Sequence, residues 1–172
     1  MFCPSCGHDN LEGNDRCENC LTPFRDLDVP HAGNAEGLAR SVMEDDLRRL
    51  PQEETLFVAP NTPAIEVVRR MKEAQRGCAL VLDGADNQLK GIFTEHDVLM
   101  KMTGAGGSDL SIQVKDLMSP NPETLRETDS VAAALNKMSL GRYRHLPILK
   151  SDGGYSVTSI KSVLQYIAKE DW

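Results

Sequence analysis

The sequence predicts an α/β (α+β) fold made of two copies of a β-α-β-β-α unit, preceded by a small cysteine-rich segment. The first reason is an internal repeat. When the second half of the chain is laid over the first, "ALVL" at 79–82 falls on "LPIL" at 146–149, and after a turn that is shorter in the second copy Asp97 falls on Ser162. The second reason is that four of the five cysteines lie at or before Cys20. The N-terminal segment and the body are therefore separate structural units.

The N-terminal segment reads "CPSCGHDNLEGNDRCENC", a C-x2-C-x10-C-x2-C pattern. One pair of cysteines can hold an ion from a tight turn, and a second pair completes a tetrahedral four-sulfur site. The pattern predicts a structural Zn²⁺, since four thiolates leave no open position for a catalytic water. The ligands would be Cys3, Cys6, Cys17 and Cys20. Disulfides or free thiols are the alternative. The segment resembles the short zinc ribbons at the N-termini of bacterial and archaeal proteins.

Composition limits the classes of function. A formal charge of -7, only 5% aromatic residues and an acidic N-terminal segment disfavour nucleic acid and favour a protein partner. We expect a soluble cytoplasmic protein without a membrane partner, because the sequence has no signal-peptide pattern and no apolar run long enough to cross a bilayer. No nucleophile motif accompanies His96 or Cys78, so the sequence does not predict an enzyme.

Each element of the first unit has a local signature. A helix is expected to begin at Pro63, because proline favours the first helical position, and Ile65, Val68 and Met71 would line one face. A second helix begins at Thr94. Three runs rich in β-formers or apolar residues predict strands: 55–59, 78–83 and 89–93.

The second unit repeats this order. Asp129 is expected to cap its first helix, "HLPIL" at 145–149 is the buried strand, and Ser159 opens the last helix. Ahead of the first unit, residues 25–37 have the composition of a linker. The run "LARSVMEDDLRRL" at 38–50 has near-helical apolar spacing and predicts a short docking helix.

Two units of similar length, with "GIFTEHDVL" at 91–99 and "RHLPIL" at 144–149 in the expected places, resemble a tandem pair of cystathionine β-synthase (CBS) domains. The resemblance implies that the repeats pack sheet to sheet about a pseudo-twofold axis and that pairs associate as homodimers. It also implies clefts for adenosine-containing ligands such as AMP, ADP, ATP or S-adenosylmethionine. The resulting division of the chain is a zinc ribbon at 1–24, a linker and docking helix at 25–51, CBS repeat 1 at 52–103, an inter-repeat linker at 104–114 and CBS repeat 2 at 115–172.

The segment Thr94-Glu95-His96-Asp97 has two interpretations. As a T-x-x-D capping pattern, it predicts only helix stability. As a ligand site, the carboxylate of Asp97 would accept two hydrogen bonds from vicinal ribose hydroxyls, while the cap would face phosphate. The resemblance implies this second role for Thr94 and Asp97.

The resemblance further implies that neighbouring strands hold the adenine and that basic residues of the second repeat meet phosphate. The adenine-binding residues would be Leu56, Phe57, Val58, Ala79 and Leu80. The phosphate contacts would come from Arg144 and His145, although solvated arginines and a structural histidine are the simpler interpretation of these two side chains.

Ser162 stands where the second repeat would carry the equivalent of Asp97. Its short hydroxyl cannot make the paired carboxylate contact, and each lost charge-assisted hydrogen bond costs roughly 1.5–3 kcal/mol. We therefore expect one principal site at Asp97 and a second cleft that is weak, empty or adapted to something else. The leading hypothesis is a regulatory module that passes the state of an adenosine ligand to an unknown effector protein. The alternatives are a ligand-independent dimerisation scaffold and, less favoured, a nucleic-acid-associated regulator.

Overall fold

The computed structural model describes residues 3, 8–10, 16–21, 36–84, 87–102 and 111–169. The described body contains two sheets, one with four strands in the order β1-β2-β3-β4 and one with three in the order β5-β6-β7. Its elements are α1 (Gly37–Glu44), a 3₁₀ turn (Leu47–Arg49), β1 (Phe57–Val58), α2 (Ala64–Ala74), β2 (Cys78–Asp83), β3 (Gln88–Thr94), α3 (Glu95–Asp97, continued by a π-helical turn Val98–Met102), α4 (Val114–Leu117), β4 (Ser119–Pro120), β5 (Leu125–Arg126), α5 (Val131–Gly141), β6 (His145–Leu149), β7 (Tyr155–Ser159) and α6 (Ile160–Lys169). The mixed α/β fold with two units of the same element order is as the sequence predicts.

The register of the two sheets reproduces the sequence repeat. In the first sheet the antiparallel pair β2–β3 sets Cys78 opposite Thr94, and in the second the pair β6–β7 sets His145 opposite Ser159. The repeat alignment of the sequence superimposes these same positions, Cys78 on His145 and Thr94 on Ser159. The strand that opens each unit, β1 or β5, runs parallel to the first hairpin strand, as a β-α-β connection requires.

The first helix of each unit begins at an equivalent residue. The N-cap of α5 is Ser130, whose Oγ accepts a hydrogen bond from the backbone N–H of Ala133 at 3.1 Å. The predicted cap at Asp129 is wrong, because that carboxylate accepts instead from the backbone N–H of Arg126. In α2, Val67 and Met71 are buried in the core of the first unit, and Val68 packs against that core as a partly buried residue.

Two connecting segments cross between the units. α1 and the 3₁₀ turn precede the first unit in sequence, yet Leu47 and Leu50 are buried in the core of the second unit with Val131 and Leu146. Conversely, α4 precedes the second unit, yet Val114 is buried in the core of the first. Each segment covers apolar surface that the other unit would leave exposed, and this burial interlocks the two units. The packing of these two segments crosses the domain boundaries expected from the sequence. Those boundaries stay a prediction.

The two sheets contact each other through apolar side chains of their hairpins. Cys78, Leu80 and Ile92 of the first sheet form a buried cluster against Tyr155 and Val157 of the second. Any cleft between the units must therefore lie beside this contact, near the ends of the hairpin strands. Over the described ranges, none of the helices has both the length and the apolar character needed to cross a bilayer.

Candidate functional site

Three of the predicted zinc ligands lie together. Candidate ligand atoms of Cys3, Cys17 and Cys20 all lie within 4.8 Å of one another, and the side chains of Cys3 and Cys17 are buried. The Sγ atoms of Cys3 and Cys20 are 3.5 Å apart, far longer than the roughly 2.05 Å of a disulfide. The separation is close to the edge of a tetrahedron with Zn–S bonds of about 2.3 Å, about 3.8 Å. The donor set fits Zn²⁺, and the fourth predicted ligand, Cys6, lies outside the described residues.

Asp97 closes a capping box at the start of α3. Its Oδ2 accepts from the backbone N–H of Thr94 at 2.9 Å and from the Thr94 hydroxyl at 2.7 Å, while Thr94 Oγ1 accepts from the backbone N–H of Asp97 at 3.3 Å. The other oxygen, Oδ1, accepts from Lys101 Nζ at 2.8 Å and from the Ser119 hydroxyl at 3.4 Å. Asp97 is only 4% exposed. The capping interpretation of the T-x-x-D segment is therefore realised in the structure.

These contacts engage the whole carboxylate. An ionised carboxyl group offers about four acceptor positions, and four donors surround Asp97. Lys101 is held further by its bond to the carbonyl oxygen of Leu117 at 2.6 Å. A ribose at Asp97 would therefore have to replace Lys101 and Ser119 on Oδ1.

The equivalent place in the second unit also has a carboxylate beside it, although Ser162 is not acidic. The hydroxyls of Ser159 and Ser162 donate to Glu53 Oε1 at 3.5 and 3.3 Å, and Arg76 Nη1 lies 3.7 Å from Glu53 Oε2. Ser162 is fully buried, and its backbone N–H donates to Ser159 Oγ at 3.2 Å, as the equivalent N–H does in the first unit. Sequence reasoning missed Glu53 because Glu53 lies far from Ser162 along the chain and no local motif joins the two.

A narrow cleft of about 20 Å³ lies between the units next to Glu53. Leu56 and His145, two of the residues predicted to bind ligand, both line it, and Arg76 contributes a cation. The full lining is Glu53, Glu54, Thr55, Leu56, Arg76, Gly77, Cys78, His145 and Val157. The structure thus brings Leu56 and His145 together with Glu53, and Asp97 is not among these lining residues.

The other predicted contacts are dispersed. Val58 and Ala79 are buried in the core of the first unit, and Leu80 is buried between the two sheets. Phe57 is 39% exposed and Arg144 is exposed. The side chains of the three buried residues are therefore not accessible to a ligand in this arrangement.

Burial changes the acid–base properties of the cleft. It lowers the pKa of His145 below the usual histidine value, against the attraction of Glu95 and Glu53 for the charged form. Burial, together with the same two carboxylates, raises the pKa of the Cys78 thiol to about 12. At neutral pH His145 is therefore an uncharged hydrogen-bonding group and Cys78 an unreactive thiol.

The fold and the two capping motifs define a tandem pair of interlocked α/β repeats. The family model for the CBS domain matches residues 39–104 and 114–169. The chain belongs to the CBS-domain family.

Two curated relatives are similar to this chain over comparable lengths but are matched over different shares of their own length. The CBS domain-containing protein CBSCBSPB3 of Arabidopsis thaliana is 32% identical over 109 residues, which are 63% of this chain and 19% of that protein. An uncharacterised 17.7 kDa protein of Acidianus ambivalens is 34% identical over 107 residues, 62% of this chain and 63% of the relative. The chain thus spans about a fifth of the plant protein.

Solved structures share the fold. An uncharacterised conserved protein from Pyrococcus horikoshii has a TM-score of 0.66 at 23% identity, over 76% of this chain and 96% of that one. CBSX2, solved in complex with AMP, has a TM-score of 0.59 at 20% identity, over 72% and 95%. The CBS domain pair of MJ0100, solved with 5'-methylthioadenosine and S-adenosyl-L-methionine, has a TM-score of 0.62 at 13% identity, over 74% and 98%. At these identities the likeness establishes the fold.

Proposed function

We propose that this chain is a regulatory module that binds an adenosine-containing ligand between its two CBS repeats and passes the ligand's state to a protein partner. The observation that carries the proposal is membership of the CBS family, some of whose solved members hold AMP, 5'-methylthioadenosine or S-adenosylmethionine. A ligand shifts the arrangement of the repeats only by its differential affinity for the two states. The proposed role is regulatory and not catalytic.

Asp97 is the proposed ribose acceptor of the first cleft. Two ribose hydroxyls would take the places of Lys101 and Ser119 on Oδ1, while Thr94 would keep its contacts with Oδ2. The cap would thus survive ligand binding. Leu56 lines the cleft that contains Glu53, so the proposal keeps it as an apolar wall of that cleft and not of the one at Asp97. The exposed Arg144 stays a proposed phosphate contact.

Calorimetric titration of the full chain with AMP, ADP, ATP and S-adenosylmethionine tests the proposal. We expect saturable heat with at least one of them. Asp97→Asn should lower the affinity of one site by about tenfold, because charge-assisted hydrogen bonds to the ribose are lost. The matched control is Asp116→Asn, which removes an exposed acid from α4. The absence of heat with all four compounds would reject the function.

A dimerisation scaffold is the second candidate, and the saturated carboxylate of Asp97 favours it. Leu99 on the turn after α3 and Leu164 on α6 occupy equivalent places in the repeat and are 62% and 59% exposed. In a homodimer a second copy of the chain would cover these leucines. Sedimentation should show a homodimer that Leu99→Asp and Leu164→Asp convert to a monomer. A wild-type monomer would exclude the scaffold.

We also propose that the N-terminal cysteines hold one structural Zn²⁺, with Cys6 as the fourth ligand. The three clustered sulfurs support this, and thiolate binding would supply folding energy to a segment in whose described residues the apolar core is Cys3 and Cys17. Metal analysis after purification without chelator should give about one zinc per chain. Cys17→Ser should lower that content, and a zinc-free wild-type protein would remove the assignment.

A further inference from the structure

The two units differ in how the hairpin of each sheet is covered. In the first unit Met118 packs so closely over Gly91 that a Cβ there would clash with it, and the two residues after Met118 pair with β3 as β4. The repeat alignment puts Ser156 at the place of Gly91 and Pro51 at the place of Met118. Within the described residues, no strand equivalent to β4 pairs with β7. The second unit therefore lacks the long side chain and the strand that cover the hairpin of the first.

A cavity of about 250 Å³ lies between the 3₁₀ turn and the hairpin of the second unit, and Ser156 is part of its wall. Leu47 and Ile148, both buried, give the cavity an apolar surface. A water molecule takes up about 30 Å³ in the liquid, and pockets for drug-sized ligands have volumes of about 300–1,000 Å³. The cavity is therefore suited to a small metabolite with an apolar part.

This cavity is separate from the cleft that contains Glu53. That cleft is lined by His145, the first residue of β6, whereas the cavity is lined by Lys150, which follows the last residue of β6. Five residues of extended chain span about 16 Å. Of the described residues that line the cavity, none is predicted from the sequence to bind ligand. A molecule in the cavity would therefore not occupy the cleft between the units.

Two opposite charges line the cavity and are not paired with each other. Lys150 is half-buried, and its Nζ has no hydrogen bond or ion pair with any described residue. Glu127 Oε1 accepts from the hydroxyl and the backbone N–H of Ser151, and Oε2 has no donor in the described part of the chain. The bonds from Ser151 hold the pKa of Glu127 below its usual value, so the carboxylate is charged at neutral pH. Lys150 and Glu127 are thus available to groups of opposite charge on one ligand.

A buried hydroxyl also lines the cavity. Ser156 is 5% exposed, and its side chain has no hydrogen-bond partner among the residues that the structure describes. Buried polar groups are normally hydrogen-bonded, and a ligand atom can supply the partner. The second cation of the wall, Arg48, is already paired with Asp46, to which its Nε donates at 3.0 Å. Lys150 and Ser156 therefore remain as donors for an anionic group.

We propose that this cavity binds a small α-amino acid with an apolar side chain. Lys150 and Ser156 donate to its carboxylate, and Glu127 accepts from its ammonium group. Its side chain lies on Leu47 and Ile148. The bound amino acid joins the 3₁₀ turn to the β6–β7 hairpin, so it stabilises the packing of that connecting segment on the second unit. The site does not depend on the adenosine ligand of the proposed function.

Calorimetric titration of the full chain with L-valine, L-leucine and L-methionine tests the site. For the amino acid that binds most tightly, the amide removes the carboxylate and the deaminated acid removes the ammonium group. We expect saturable binding of the amino acid and at least about tenfold weaker binding of each analogue, because each loses one charge-assisted contact. Lys150→Gln should reduce the preference for the amino acid over its amide to below about twofold. Glu127→Gln should do the same for the preference over the deaminated acid.

The matched controls are Lys72→Gln and Glu73→Gln, which remove exposed charges from α2 of the first unit and should bind the amino acid as the wild type does. The proposal is overturned if none of the three amino acids binds, if a deaminated acid binds as tightly as its amino acid, or if both preferences persist in the two cavity variants. If a variant does not fold by circular dichroism, the comparison of the amino acid with its analogues on the wild type decides. Loss of AMP binding in a folded Lys150→Gln would indicate one shared site and would also contradict the proposal.

Discussion

Replacing Asp97 by alanine tests whether its carboxylate stabilises the folded chain or is kept only for a ligand. The structure gives Asp97 four donors, two from Thr94 and one each from Lys101 and Ser119. Alanine removes all of these bonds at once. Ser162→Ala is the matched change in the second unit, where the side chain is equally buried but uncharged.

The expected cost follows from the individual contacts. The N–H of Thr94 loses its partner, which costs about 1–3 kcal/mol for a buried group. The pair with Lys101 contributes at most about 1 kcal/mol, because the Lys101 side chain is 40% exposed and its charge is screened. Loss of an anion at the start of the helix adds about 0.3–1 kcal/mol. We expect Asp97→Ala to destabilise the chain by about 3 kcal/mol and Ser162→Ala by about 1 kcal/mol.

Urea denaturation followed by far-ultraviolet circular dichroism measures both values, and a thermal scan should show a fall of roughly 10 °C for Asp97→Ala. A loss below about 1 kcal/mol for Asp97→Ala, or an equal loss for both variants, would refute the reasoning. A gain in stability would mean that the carboxylate is kept at a cost to the fold, as ligand-binding groups often are.

Two further predictions concern the cleft and the first sheet. Burial lowers the pKa of His145 below the 6.5 of an unperturbed histidine. As pH falls, His145 is therefore protonated in the unfolded chain before it is protonated in the folded chain. The free energy of unfolding should therefore decrease as pH falls through 6.5 toward the folded-state pKa of His145. Urea titrations at a series of pH values measure this decrease, and His145→Gln should make it smaller. The same pH dependence in the variant and the wild type would contradict the buried, neutral state of His145. Gly91→Ala places a Cβ 2.9 Å from the carbonyl oxygen of Ser119 and against Met118, so it should cost about 1–3 kcal/mol by pushing β4 from β3. In Gly84→Ala, where the described residues leave nothing within 4 Å of the new Cβ, we expect a change within about 0.5 kcal/mol, and equal effects of the two substitutions would contradict the close approach.

Much of the architecture could be predicted from local patterns. The repeat alignment read from the sequence reappears in the sheet registers, because strands and caps depend on the residues within them and beside them. The sequence prediction of a helix cap was wrong where two neighbouring residues both favour the N-cap position. Asp129 and Ser130 both favour an N-cap, and the bond from Arg126 to Asp129 leaves the cap to Ser130.

The candidate site could be predicted only in part. The N-cap of α3 at Thr94 and the capping box with Asp97 follow from four adjacent residues. Lys101 lies four residues after Asp97 on the same helical run, so its contact is local as well. That Ser119 completes the shell of Asp97, and that Leu56 lies with Glu53 in one cleft, follow from the packing of the connecting segments. No local pattern encodes that packing.

The amino-acid order by itself determined the duplicated α/β fold, the clustering of cysteines and the helix cap at Asp97, since each depends on neighbours in the chain. Only the tertiary structure decided where the second carboxylate lies. Glu53 reaches Ser162, far along the chain, because the segment that carries it packs on the opposite unit. Burial of apolar side chains such as Leu47 and Leu50 drives that packing.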